Sequence, residues 1–147
     1  MSSDDRYQSA GYMTNWAARL FARSIDKHLK LLGISSGQLP VFFALSGAEK
    51  QTQKSLAAFA AVEQPTMAVL LNRMERDGLI LREANPLDKR SSLFTLSPIA
   101  QEKLPQINAA IQAVNRAALS DLSVEEQEQY QIILQKIIQS LDQNLMG

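Results

Sequence analysis

The 147-residue chain has no cysteine. That excludes disulfides, thiol nucleophiles and peroxide sensing through a cysteine. It has a single histidine, so most catalytic triads and transition-metal sites are out of reach. There is no Gly-rich phosphate loop among its six glycines. Glu125, Glu126 and Glu128 cluster, but at a helix start, where acids complement the dipole. An enzyme is therefore the weaker reading; no catalytic residue, metal ligand or cofactor is assigned. No apolar run is long enough to span a bilayer. The opening Met1-Ser2-Ser3-Asp4-Asp5 is too polar for a signal peptide. A cytoplasmic location with no membrane partner is the expectation. An excess of either charge is missing too, with 15 basic and 15 acidic side chains.

What is present is 46% hydrophobic residues, enough for one domain with a core. The informative stretch runs from Gln64 to Leu96. Met67, Leu70, Leu71 and Met74 fall at i, i+3, i+4 and i+7, the apolar face of a helix. Pro65 suits its first turn, and Gly78 suits the left-handed residue beyond its end. Leu79 to Glu83 reads as a strand, Asn85-Pro86 as a turn tip, and Ser92 to Leu96 as the returning strand. Upstream, Thr52 caps a helix Gln53 to Ala60, with Leu56, Phe59 and Ala60 on one face. Two short helices, a tight break at Ala61-Val62-Glu63 and a following ribbon predict a winged helix-turn-helix.

At this point the chain resembles the MarR family of transcription regulators. The resemblance rests on Leu56-Ala57, Gln64-Pro65-Thr66, the run from Leu71 to Ile80, the wing motif Asp88-Lys89-Arg90-Ser91, and Leu96-Ser97. In element order it covers about residues 10 to 145. It implies a triangular homodimer that binds palindromic double-stranded operator DNA, as a repressor in the first place, and that in such proteins is often released by small, frequently aromatic, ligands. The expected fold class is mainly α with a small β-wing. The chain is read as one domain over 1–147. Its DNA-binding lobe is 34–97, and dimerisation helices occupy 7–33 and 98–146.

Read in order, residues 1–6 are expected to fray. A long helix follows from Tyr7 or Ser9 to Leu32, capped by Gly33; Tyr12, Trp16 and Leu20 share a face, continued by Ile25 and Leu29. Ser35 and Gln38 form a capping box before an apolar helix, Leu39 to Leu45, with Pro40 in its first turn. After the wing, Ser97-Pro98 starts a fifth helix with a stripe of Ile107, Ile111 and Val114. Pro105 inside it removes one backbone bond and should kink it. Leu119 to Leu122 is a break. Ser123 and Glu126 then cap a last helix with Tyr130, Ile133, Leu134, Ile137, Ile138 and Leu141 on one face. The terminal helices carry more apolar surface than one small lobe covers, which points to a two-fold homodimer.

On the reading helix, Pro65, Val69, Asn72 and Arg76 lie opposite the apolar face, flanked by Thr66, Ala68 and Arg73. An asparagine reads adenine bidentately and an arginine reads guanine. Gln64 and Thr66, near the helix start, reach phosphate or a base edge. Arg73 and Arg76 have a second reading as partners of Glu75, Asp77 or the wing. Where the family usually has arginine this chain has Val69, and Ala68 replaces a small hydroxyl residue. Ala61 and Ala100 stand where glycine is common. By resemblance, Arg90 approaches the minor groove, which suits a guanidinium, or its phosphates, while Asp88 steadies it or a neighbour; Lys89 is a phosphate contact. The neutral middle segment, with seven basic and six acidic residues over 34–96, predicts modest non-specific affinity. Val69 and that neutrality also leave open a winged-helix module that binds protein, with DNA reading weak or lost. Trp16, His28, Phe42 and Phe43 are candidates either for a small-ligand pocket or for plain core, so no ligand-binding residue is assigned.

Overall fold

A computed structural model describes residues 1–146. Helix α1 spans Ala10–Leu29 and α2 Leu39–Leu45; strand β1 is Gln51–Thr52; α3 spans Gln53–Ala60 and α4 Gln64–Arg76. Strands β2, Ile80–Ala84, and β3, Ser92–Leu96, precede α5, Pro98–Ala118, and α6, Val124–Met146. The chain divides into two compact units, residues 1–111 and the remainder from Gln112.

Local chemistry fixes most of the boundaries. Thr52 Oγ1 accepts from the Ser55 amide at 3.1 Å, which starts α3. Gly33, Ala61 and Gly78 each take the left-handed conformation that ends a helix. After α4 the Gly78 amide donates to Glu75 at 3.0 Å and the Leu79 amide to Met74 at 2.9 Å, the paired bonds of a Schellman turn. The same pair closes α3 around Ala61, at 3.2 and 3.1 Å. There an alanine takes a role that glycine fills more easily. Ser123 and Glu126 bond reciprocally, at 2.9 and 3.1 Å, to start α6.

The ribbon is wider than the sequence suggests. The sheet has three strands in the order β1-β3-β2, antiparallel throughout, with Thr52 opposite Leu93 and Arg82 opposite Phe94. β1 is only two residues long and carries no alternation to announce it. The expected fraying of residues 1–6 is also corrected. Ser3–Gln8 forms a 3₁₀ helix, with Asp5 Oδ2 accepting from the Ser2 amide at 2.7 Å. The Arg6 guanidinium stacks over Trp16, 3.8 Å from the ring centroid, and this anchors the segment. The first long helix accordingly begins at Ala10 and passes into a 3₁₀ turn at Lys30. α5 continues as a helix through Pro105.

In the first unit the core gathers Leu29, Val41, Leu56, Met67, Leu71, Met74, Ile80, Phe94 and Ile107. Of the expected inner face of α4, Met67, Leu71 and Met74 are fully buried, each contributing about 2 kcal/mol, while Leu70 at its edge is half-buried. Phe59, expected on the inner face of α3, is instead 59% exposed, and Ala57 takes its place beside Leu56. α3 makes barely two turns before Ala61 ends it, so a one-position error in phase moves a side chain from core to surface. In α6 no residue is buried, and Ile133, Ile137, Ile138 and Leu141 are all exposed.

Candidate nucleic-acid interface

Packing α4 through its Met67–Leu71–Met74 stripe leaves the opposite face outside. Gln64, Pro65, Thr66, Val69, Asn72, Arg73 and Arg76 are all exposed, and Ala68 is half-buried. Pro65 lies in the first turn, where its lack of an amide hydrogen costs nothing. Gln53 Nε2 donates to the Gln64 carbonyl at 3.4 Å, tying the start of α3 to the start of α4.

The wing loop between β2 and β3 is shaped by its own residues. Asn85 Oδ1 accepts from the Leu87 amide at 3.0 Å, and its Nδ2 donates to Ser91 Oγ at 2.8 Å. Asp88 Oδ1 accepts from the Arg90 amide at 3.0 Å. The aspartate thus steadies Arg90 through the backbone and leaves the guanidinium outside. Lys89 and Arg90 are both exposed at the loop end. A groove of about 350 Å³ runs between this loop and the helix starts, lined among others by Gln53, Lys54, Gln64, Arg82, Asp88 and Arg90. Three of the residues singled out in the sequence, Gln64, Asp88 and Arg90, therefore meet along one groove.

The ion pairs considered for the helix are only partly present. Arg76 Nε lies 3.7 Å from Asp77 Oδ1, with 74% of the arginine side chain exposed. Such a pair contributes little. Arg73 has no ion pair among the described residues, so the wing brace considered for it is absent. Glu75 instead pairs with Arg82 at 3.3 Å.

Arg82 is the residue that sequence reasoning missed. Its Nη2 donates to Asn72 Oδ1 at 2.9 Å, its Nε to Glu75 Oε2 at 3.3 Å, and its Cζ lies 4.8 Å from the Phe94 ring centroid. Its signal was the strand register, which sets it opposite a buried aromatic. Lys54, also unassigned from sequence, shares the groove. Below the lobe's connection, Ser97 Oγ donates to the Gly78 carbonyl at 2.6 Å and accepts from the Ala100 amide at 3.1 Å. One buried hydroxyl thus joins the end of α4 to the start of α5.

Of the four pocket candidates, Phe42 and Phe43 line a cavity of about 190 Å³ with Leu39, Leu104, Ile107 and Ile111. Trp16 and His28 do not. Trp16 packs on Arg6 and Tyr7, and exposed His28 bonds the Ser24 carbonyl through Nδ1. No helix among the described residues is long and apolar enough to cross a membrane.

Comparison with known proteins agrees with this architecture. A sequence model of the MarR family matches residues 34–92, from the start of the lobe to the first residue of β3. The HTH-type transcriptional regulator YwoH of Bacillus subtilis is 28% identical over 128 residues, covering 87% of this chain and 93% of its own length. A probable transcriptional regulator from Pseudomonas aeruginosa superposes with a TM-score of 0.80 at 28% identity, over 88% of this chain and 96% of that one. A MarR mutant from E. coli, solved in complex with operator DNA, has the same fold, with a TM-score of 0.83 at 20% identity over 93% and 99% of the two chains. Residues 34–92 thus match the MarR family model, and the chain over most of its length is similar in sequence and fold to transcriptional regulators.

Proposed function

We propose that the protein is a dimeric repressor that seats α4 in the major groove of a palindromic operator and lays its wing along the flanking minor groove. One observation carries this reading: α4 spends its apolar face on the core and leaves Pro65, Thr66, Val69, Asn72, Arg73 and Arg76 uncovered, next to a wing that ends in Lys89 and Arg90. In that pose Gln64 and Thr66 meet phosphate or a base edge, Ala68 and Val69 face thymine methyls, and Asn72 and Arg76 contact bases. Arg73 and Lys89 then contact phosphates, and Arg90, steadied by Asp88, enters the minor groove.

The exposed apolar side chains of α6, with Tyr12 and Leu20 of α1, support pairing of two copies. Two-fold pairing would set the reading helices one DNA turn apart, roughly 34 Å. The cavity at Phe42 and Phe43, about 190 Å³ and lined mainly by apolar side chains, supports a site for an effector no larger than about one aromatic ring. The exposed Val69 favours a second reading, a protein-docking module; kinship with transcriptional regulators weighs against it.

The test is a mobility shift with the DNA upstream of the protein's own gene, with and without phenolic compounds, beside a solution mass at micromolar concentration. A dimer that retains this DNA at low salt and loses it with a phenol supports the reading. A lone subunit that retains no duplex overturns it.

A further inference from the structure

Arg82 is not among the residues set against bases or phosphates above, yet it holds the residue best suited to read a base. We propose that Arg82 decides which base Asn72 recognises, by holding the asparagine's carbonyl oxygen and so turning the amide into a hydrogen-bond donor. This rests on the reading of α4 as the groove helix. An arginine carries only donors, so the Asn72 atom at 2.9 Å from Nη2 is the oxygen, and the free branch is the Nδ2 amine. The guanidinium is itself fixed. It lies on the Phe94 ring, directly across the β2–β3 ladder, and its Nε is bonded to Glu75, one helical turn from Asn72.

Adenine shows the major groove a donor beside an acceptor, and an asparagine matches it only with oxygen and amine presented together. Guanine shows two acceptors. An oxygen already engaged, with a cation beside it, disfavours adenine's amino group and suits guanine. The preference for guanine over adenine at this position should be about 10-fold, within the range of one good base contact.

The full chain is used to select duplexes from a pool with a random core. Single-position variants of the selected duplex are then titrated with wild type, Asn72→Ala, Arg82→Met and Arg82→Lys. Asn72→Ala should flatten the preference at one position per half-site. At that position Arg82→Met should lose the guanine preference and turn toward adenine, while Arg82→Lys, which keeps a donor and a charge, stays on guanine. Unchanged preference in Arg82→Met, or an equal loss at every position, overturns the proposal. If Arg82→Met does not fold, Glu75→Gln, which loosens the guanidinium, must lower the guanine preference in the same titration. If Asn72→Ala flattens no position while DNA is still retained, Asn72 reads no base and the proposal fails with the groove reading intact elsewhere. If no duplex is selected at all, the DNA-binding reading itself fails.

Discussion

Replacing Ala61 with glycine should make this protein more stable. Ala61 has φ 56° and ψ 42°, the left-handed conformation, and it closes α3 through amide bonds of 3.2 and 3.1 Å. An L-residue with a Cβ pays roughly 1–2 kcal/mol for that conformation. The residue is exposed, so its methyl contributes little packing. Glycine relieves the strain but gives the unfolded chain about 0.4–1 kcal/mol more conformational freedom. The balance is a stabilisation of about 0.5–1 kcal/mol, or a rise in Tm of about 2 °C for a chain of this size. Thermal and urea unfolding at one fixed protein concentration would measure it, since association shifts apparent stability. Gly78→Ala supplies the converse. Gly78 has φ 76°, and an added Cβ there meets nothing within 4 Å, so a net loss of about 0.5–1 kcal/mol is backbone strain less the unfolded-chain freedom that alanine removes. An Ala61→Gly protein that melts at or below the wild-type temperature would refute the assignment of strain to this turn.

Three further outcomes follow from the same structure. Arg90→Ala should weaken binding to all duplexes and reduce the slope of log K against log salt by about 1 per half-site, read by anisotropy between low and moderate salt. Val69→Arg, which places a cation on the exposed outer face of α4, should raise affinity several-fold and steepen that slope, by roughly 0.9 for each phosphate newly neutralised. Ser97→Ala would leave the Gly78 carbonyl and the Ala100 amide without their side-chain partner inside a buried joint; urea unfolding should show a loss of about 2 kcal/mol.

The parts of the fold legible in the sequence are those governed by short-range rules. The span of α4, its Pro65 start and its Gly78 end follow from periodicity and capping chemistry, and the structure keeps them at Gln64–Arg76. The Thr52, Ser35 and Ser123 caps are likewise local. What escaped depends on distant partners. β1 exists because Gln51 and Thr52 pair with β3, some forty residues on. Phe59 was misplaced because α3 is too short for its phase to be read reliably from composition. Arg82 lies in a strand of mostly exposed residues, and only the folded register brings it to Asn72, Glu75 and Phe94. The outer face of α4 was readable as a surface. The state of each polar group on it was not, because that is set by neighbours from another element.

The self-bonded loop from Asn85 to Ser91 has a consequence for how this lineage can change. Its shape comes from two side chains, Asn85 and Asp88, that bond only to the loop's own atoms among the described residues. Leu87, Lys89 and Arg90 project from it without a structural duty of their own, so they are free to vary while the hairpin stays as it is. Substitutions at the tip would therefore change what the hairpin presents to its surroundings one side chain at a time, with little cost to the scaffold that carries it.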